Sequence, residues 1–561
     1  MKKRLVVIGG VAAGPKAAAK ARRCDPEMEI VVYQEEDEIS YAGCGLPYYM
    51  SGVIEKRDEL ISRTPGQFAQ DGIRVLKNRR IEKIDLSNRH LSGRKTGSGE
   101  TFTDHFDRLV LATGASAIRP KIEGMDLENI FYLRSIFDAD AFSEQIRSER
   151  IRNVVIAGGG YIGLEMAESL VRLGKKVTIV ELAPQILTLF DEDFAGILQQ
   201  YLEKQGVKIF TSEGIQALKG DKGKVTHVRT EARELEADVI LMSLGIRPQV
   251  GLAREAGLKI GETGAIWVDE KMETSAEGIF AAGDCAETTH LVTGKRIWVP
   301  LGSTANKQGR VVGINVCGGN ATFPGVMGTT VFKTFDFNVA KTGLSMREAE
   351  KEGLHPFQAV VRGYDRAHYY PGGKESTLKV VAEKGTGRIL GVQAVGEGPS
   401  DKFIDILAMA LHGQMTCRQL ASVDLAYAPP FSPALSPVIV AANVLMNKLE
   451  GKVEGIQASQ VRERMKTSGE SFQILDVREE DEVRKGRIPN SIWIPLADVK
   501  KRAGELDKNR ETAVHCHSGL RSYKACLRLQ QEGFKDVKNI DGGLLCWYYD
   551  MESGEREKKE R

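Results

Sequence analysis

Two cysteines in this chain sit in settings that suit sulfur chemistry. Cys44 stands alone in SYAGCGLPYY, a short way downstream of a strand and a glycine turn. A lone thiol that takes electrons must carry something, whether a sulfenic acid, a persulfide or a mixed disulfide with a small thiol. Helical surroundings would favour its thiolate, the nucleophilic form. Cys516 opens the tight loop CHSGLRS, and Arg521 follows it five residues later. Backbone amides of such a loop, at a helix N-terminus, converge on a sulfur and stabilise a thiolate or persulfide anion. Arg521 adds a positive charge. A similar loop cradles phosphate, but with one more residue before its arginine, so this spacing favours sulfur. His515 and His517 flank Cys516 without a further ligand cluster, which points to structural roles rather than a metal. Cys24, Cys285, Cys317, Cys417, Cys526 and Cys546 are expected to be small packing residues.

The elements that must position these thiols begin with a strand-turn-helix unit that occurs twice. It reads RLVVIGGVAAGPKAAAKAR at the start and NVVIAGGGYIGLEMAESL from Asn153. Gly158, Gly160 and Gly163 give the full G-x-G-x-x-G, whose glycines permit the turn, the approach of backbone to a pyrophosphate, and helix-strand packing. Glu181 ends the next strand, where a carboxylate accepts hydrogen bonds from ribose hydroxyls and repels a 2′-phosphate; this favours NADH over NADPH. The first unit has Gly9, Gly10 and Gly14, with Val11 at the middle glycine position. Its acid position holds Gln34, with Glu35 just after. Two such units imply two dinucleotides. LATGA, with Thr113 and Gly114, and GIFAAGDCAE, with Asp284, add weight to the first.

The whole chain bounds these readings. A length of 561 residues implies three to four domains at about 150 residues each. Basic and acidic residues nearly cancel, 78 against 76, so overall charge gives no argument for nucleic acid. No apolar stretch is long enough for a membrane span. The start, MKKRLVVIGGVAAG, mimics a signal peptide but is better read as a buried strand entering a glycine turn. Eight cysteines without a Cys-x-x-Cys pair fit a reducing cytoplasm.

The paired fingerprints, LATGA, LGIRP and FAAGDCAE, in this order, resemble the pyridine nucleotide-disulfide oxidoreductase family over about Met1 to Asn447. The resemblance implies an α/β fold with two Rossmann-like dinucleotide-binding domains and an α+β dimerisation domain. It assigns FAD to 1–118 and 243–323, through Gly9, Gly14, Glu35, Thr113, Gly114 and Asp284. NAD(P)H falls to 119–242, through Gly158, Gly160, Gly163 and Glu181, and dimerisation to 324–446. Better-known members use two cysteines separated by four residues. Here Ile39 and Tyr49 occupy the positions five before and five after Cys44, which places the chain with the single-cysteine branch. That branch includes NADH oxidases, NADH peroxidases and coenzyme A-disulfide reductases. The peroxidases carry a His in the first glycine turn, which GGVAAG lacks. AHYYPGG and DLAYAPPFS look like the coenzyme A-disulfide reductases, in which Tyr369 and Tyr427 would reach across a homodimer toward the partner's cysteine. Ser40, Arg22 and Lys16 lie where the nucleotide of coenzyme A would be held, and Gly43 stands where the reductases usually have Asn.

After a linker at 447–458, residues 459–552 resemble a rhodanese domain through LDVRE (Asp476, Arg478), CHSGLRS and NIDGGLLCW, with Arg487 where that family usually has His. Residues 553–561 form a charged tail. The resemblance implies an enzyme that uses NADH to reduce persulfide or polysulfide sulfur, carried on coenzyme A, to sulfide. Cys44, Tyr369 and Tyr427 would serve the reductase, and Cys516 and Arg521 sulfur delivery. Three alternatives stay open: a coenzyme A-disulfide reductase for thiol balance, a water- or peroxide-forming NADH oxidase, and a sulfur carrier or redox sensor with little turnover.

Overall fold

In the computed structural model, which describes residues 2–553, the chain divides into two compact units. Met1–Pro184 with Gly206–Val326 make the first, and Gln185–Gln205 with the chain from Met327 onward make the second. The tail at 553–561 lies outside the described residues apart from Ser553.

The first unit is built on two five-stranded parallel sheets. In one, Arg4–Ile8 pairs with Glu29–Tyr33 on one side and Arg108–Leu111 on the other, and Ile73–Leu76 and Ile279–Ala281 complete the edges. Leu5, Val6 and Val7 are fully buried, as a strand covered on both faces requires. The second sheet centres on Asn153–Ala157, flanked by Lys176–Val180 and Val239–Met242. In each, a glycine turn follows the central strand and leads into a helix, Ala13–Cys24 or Tyr161–Arg172. Helix Ala13–Cys24 packs closely on Gly302–Asn315. A Cβ at Gly309 would lie 2.5 Å from the Ala13 carbonyl, and one at Gly313 2.6 Å from that of Ala17.

The second unit holds a five-stranded antiparallel sheet and a five-stranded parallel sheet. The antiparallel sheet runs in the order Thr330–Thr334, Phe337–Gly343, Ile389–Gly396, Glu375–Glu383, Pro356–Tyr364, so Pro356–Tyr364 is an edge strand. The parallel sheet places Phe472–Asp476 beside Glu511–His515, and Glu511–His515 delivers Cys516 at its C-terminal end.

The helix Glu192–Lys204, expected within a domain spanning 119–242, belongs to this second unit. The reason is electrostatic. Lys379 on the antiparallel sheet is fully buried, and its ammonium lies 3.2 Å from Asp191 and 2.5 Å from Asp193 at the start of that helix. Gln393 donates to Asp191 at 2.7 Å and accepts from its backbone N–H at 2.9 Å. A buried ion pair tolerates loss of one partner poorly, because the other is left charged out of water. Lys379→Met is therefore expected to destabilise this unit by about 3–5 kcal/mol. The measurement is the thermal unfolding midpoint, with partial recovery expected when Asp193→Asn is added. An unchanged midpoint would show that water screens the cluster.

Candidate functional site

Cys44 lies in a single 3₁₀ turn, Gly43–Gly45, that runs into the short helix Leu46–Met50. That helix packs against Tyr161–Arg172: Ser169 donates to the Pro47 carbonyl at 3.0 Å, and Tyr48 donates to Glu165 at 3.3 Å. The helix that follows the second glycine turn and the helix that follows Cys44 are thus packed together within the first unit. Asp284, delivered by the strand Ile279–Ala281, is ion-paired with Arg134 at 3.2 Å. The Cys44 thiol is exposed, yet the protein around it pushes its pKa up; Glu165 and Asp284 push it further and Arg134 opposes them. The expected helix effect does not win. A five-residue helix gives little dipole, and desolvation together with the charges of Glu165 and Asp284 outweighs it. Burial raises the Glu165 carboxyl to about 7, with Glu168 adding to the shift. Glu165→Gln removes a negative neighbour, so it is expected to move the pH profile of Cys44 alkylation by iodoacetamide to lower pH. An unchanged profile would mean that the two groups do not communicate.

Both glycine turns are shaped for a diphosphate. Gly9 and Gly158 have φ of +111° and +105°, and a Cβ at Gly14 or Gly163 would lie 1.9 or 2.4 Å from the carbonyl of the respective turn. Neither helix that follows has a side-chain cap or an acid in its first turn, whereas Ser135, Ser345 and Thr416 cap theirs with full capping boxes. At Gly160 a Cβ would point into open space above the helix N-terminus. A helix N-terminus without a side-chain cap and a clear cradle fit an anionic dinucleotide in each turn. Glu181 accepts from the Gly159 and Ala183 amides at 2.7 and 2.8 Å, which holds its carboxylate beside the second turn. In the first turn that role falls to Gln34, which accepts from Gly10 N–H at 2.8 Å. Glu35 instead points outward to Arg80 at 3.5 Å. Thr113 donates to the Gln249 carbonyl at 2.7 Å, and Gly114, at φ +73°, comes close to Arg134.

The three residues expected to hold a nucleotide have other surroundings. Arg22 donates to the carbonyls of Met28 and Gly72 at 2.7 and 2.9 Å, and also to that of Pro26, so it ties the helix end to neighbouring turns. Lys16 lies over Gly309, and Ser40 is buried, its backbone bonded to Gly10 and Ser62. Gly43 has nothing within 4 Å of a built Cβ, so the volume an Asn side chain would fill is open.

In the second unit, Ala367 N–H donates to the Pro429 carbonyl at 3.0 Å and brings the two tyrosine loops together. Tyr427 lies close enough to Tyr369 to raise its pKa. Both are more than half exposed, and Phe431 and Leu435 nearby are exposed as well.

Cys516 is 1% exposed at the base of its loop. Its sulfur accepts from Gly519 N–H at 3.1 Å and from the Ser522 hydroxyl at 3.4 Å. Gly519, at φ +105°, makes the turn into the helix Leu520–Gln531. Arg521 does not present a free charge as expected. Glu482 binds it with both oxygens at 2.5 and 2.7 Å, and the pairing holds the Glu482 carboxyl down to about 2. His515 is fully buried, and burial lowers its pKa to about 4, so it is neutral near pH 7. Asp476 and Arg478 form a buried pair at 2.6 Å. Among the described residues no group of three or more His, Cys, Asp or Glu is arranged to hold a metal ion.

Residues 3–309 match the pyridine nucleotide-disulphide oxidoreductase model, 329–438 its dimerisation domain, and 457–550 the rhodanese-like domain. The chain belongs to the pyridine nucleotide-disulphide oxidoreductase family. The family's cofactors are FAD and NAD(P)H, and the two helix N-termini without side-chain caps are the parts of this member that fit them. The NAD(P)H sulfur oxidoreductase (CoA-dependent) of Pyrococcus abyssi is 43% identical over 434 residues, 77% of this chain and 96% of that protein. The structure of a NAD-dependent persulfide reductase from A. fulgidus is 41% identical, with a TM-score of 0.90 over 97% of this chain and 100% of that one. Reduced CoADR-RHD from Bacillus anthracis is 32% identical, with a TM-score of 0.92 over 98% of each chain. In this oxidoreductase the residues that sequence reasoning missed are Arg134, Glu165 and Glu482. Glu165 alone left a trace, as one of two acids, with Glu168, in the largely apolar helix stretch between Tyr161 and Ser169.

Proposed function

We propose that this chain uses NAD(P)H to reduce persulfide or polysulfide sulfur, carried on coenzyme A, to sulfide, and that its rhodanese domain supplies the sulfur. The observation that carries the reading is an exposed thiol, Cys44, whose following helix packs against the second dinucleotide helix, joined in one chain to a cradled thiol at Cys516. The likeness to a CoA-dependent sulfur oxidoreductase over 77% of the chain, and to a persulfide reductase over 97% of it, supports it. NADH is the preferred donor, because the Glu181 carboxylate beside the turn would repel a 2′-phosphate.

Bound FAD supplies two-electron chemistry between nicotinamide and sulfur. The residues do the rest. The Cys44 thiolate attacks the inner sulfur of coenzyme A persulfide; an S–S bond to coenzyme A forms and hydrosulfide leaves with the electron pair of the broken bond. Reduction by two electrons then restores the Cys44 thiolate and frees the coenzyme A thiol. Arg134 balances negative charge at the sulfur, and Glu165, near its midpoint at neutral pH, is placed to exchange a proton with leaving thiols. The exposed tyrosine loops and the matched dimerisation domain support a homodimer in which Tyr369 and Tyr427 donate hydrogen bonds near the partner's Cys44. All eight cysteines are free, which suits a reducing cytoplasm. No described helix is long and apolar enough to cross a membrane.

The test is anaerobic NADH oxidation with coenzyme A persulfide or polysulfide, compared with coenzyme A disulfide and with air. Faster turnover of the persulfide, with stoichiometric sulfide, is expected. Faster turnover of the disulfide without sulfide would make the chain a thiol-balance enzyme, and faster turnover in air an oxidase.

A further inference from the structure

The sulfurtransferase loop is not built from rhodanese residues alone. Three alternate residues on one face of the edge strand Pro356–Tyr364 meet it in sequence. Gln358 donates to Asp541 at 3.2 Å, and Val360 fills the space beside Gly542, where a Cβ would come within 2.9 Å. Arg362 lies 3.2 Å from Nε2 of His517, the residue after Cys516. The turn pressed on Val360 in turn holds the loop: Leu544 N–H donates to the Cys516 carbonyl at 3.0 Å, and Leu545 N–H to that of His517 at 3.2 Å.

A guanidinium only donates, so Nε2 of His517 is the acceptor, the proton sits on Nδ1, and the ring is neutral. Burial lowers the His517 pKa, and Arg362, Arg521 and Arg478 act in the same direction against Glu482. Arg521 is already bound by both oxygens of Glu482, while Arg362 is tied to Glu375 through one nitrogen and keeps further N–H donors. Sulfane-sulfur donors such as thiosulfate and polysulfides are anions.

We infer that Arg362, from the dimerisation domain, completes the sulfurtransferase site as a positioning residue that fixes His517 and selects anionic sulfane-sulfur donors for Cys516. This rests on reading Cys516 as the sulfur acceptor. In the step served, the Cys516 thiolate attacks the outer sulfur of thiosulfate. A cysteine persulfide anion forms, and sulfite leaves with the electron pair of the broken S–S bond.

The experiment uses the full-length holoenzyme as wild type, Arg362→Gln, Arg362→Lys and Cys516→Ser. Thiosulfate-to-cyanide sulfur transfer is measured, and alkylation of Cys516 by anionic iodoacetate and neutral iodoacetamide is followed by peptide mass spectrometry. Arg362→Gln is expected to raise the thiosulfate KM about tenfold with kcat nearly unchanged, and to lower the iodoacetate-to-iodoacetamide rate ratio about tenfold. Arg362→Lys should restore most of both. If Arg362→Gln slows both reagents equally, or changes neither KM nor the ratio, the inference is overturned. If Cys516→Ser keeps full sulfur transfer, the underlying reading of Cys516 fails instead.

Discussion

Serine in place of Cys44 is expected to cut NADH-driven sulfide release by about three orders of magnitude or more, the scale on which removal of a covalent nucleophile acts. A hydroxyl cannot form the S–S bond that carries coenzyme A, and no other described cysteine can substitute within the first unit. Cys285 is fully buried beneath LATGA, and Cys24 and Cys317 lie at the far ends of the helices that follow the glycine turn and Asp284. The variant should still bind flavin, and NADH should still bleach its absorbance, because neither glycine turn nor Glu181 touches the substitution. Those two readouts separate loss of sulfur chemistry from loss of fold. Sulfide release above about a tenth of wild type would put the sulfur acceptor elsewhere and sink the assignment. The coenzyme A-disulfide reading predicts the same loss with disulfide as substrate, so only the substrate comparison divides those two.

What could be read in the sequence was whatever lies on a continuous stretch of chain. Each glycine turn with its strand and helix, and the Cys516 loop, occupies a single short stretch of chain, and its backbone needs are met by local residue types. The second unit's parallel sheet follows the strand-like runs FQILDV, SIWIPL and TAVHC, of which the first and last are buried and SIWIPL is half-buried. Side chains that meet across elements left no such trace. Arg134 sits in YLRSIF with no spacing that points to Asp284, 150 residues away. Glu482 lies among four acids in VREEDEV, any of which resembles a solvated helix face, until Arg521 singles one out. Lys379 in TLKVVAEK resembles the exposed position of an alternating strand, yet it is buried because two aspartates from residues 185–205 come to it. The surroundings of Arg22 were hidden for the same reason: the carbonyls it binds come from later turns, which a helix-face reading does not contain.

Cys516→Ser should divide the enzyme by substrate. With coenzyme A persulfide supplied directly, NADH oxidation is expected to stay within about twofold of wild type, because the attack on that substrate belongs to Cys44. With thiosulfate or elemental sulfur plus coenzyme A, sulfide release is expected to fall about a hundredfold or more, since no atom remains to accept the sulfane sulfur. The cradle explains why the cysteine cannot be replaced by serine. Gly519 N–H and the Ser522 hydroxyl converge on the sulfur position at 3.1 and 3.4 Å, distances that suit a large, charged sulfur and leave a smaller serine oxygen poorly held. The flanking residues should survive the change, because His515 packs as a neutral ring and Arg521 keeps Glu482. Sulfide release is followed under anaerobic conditions at fixed NADH, with each sulfur source in turn. Equal rates for wild type and variant on thiosulfate would mean that coenzyme A collects sulfur without the rhodanese loop. Equal losses on every substrate would mean that Cys516 supports the reductase itself rather than its supply.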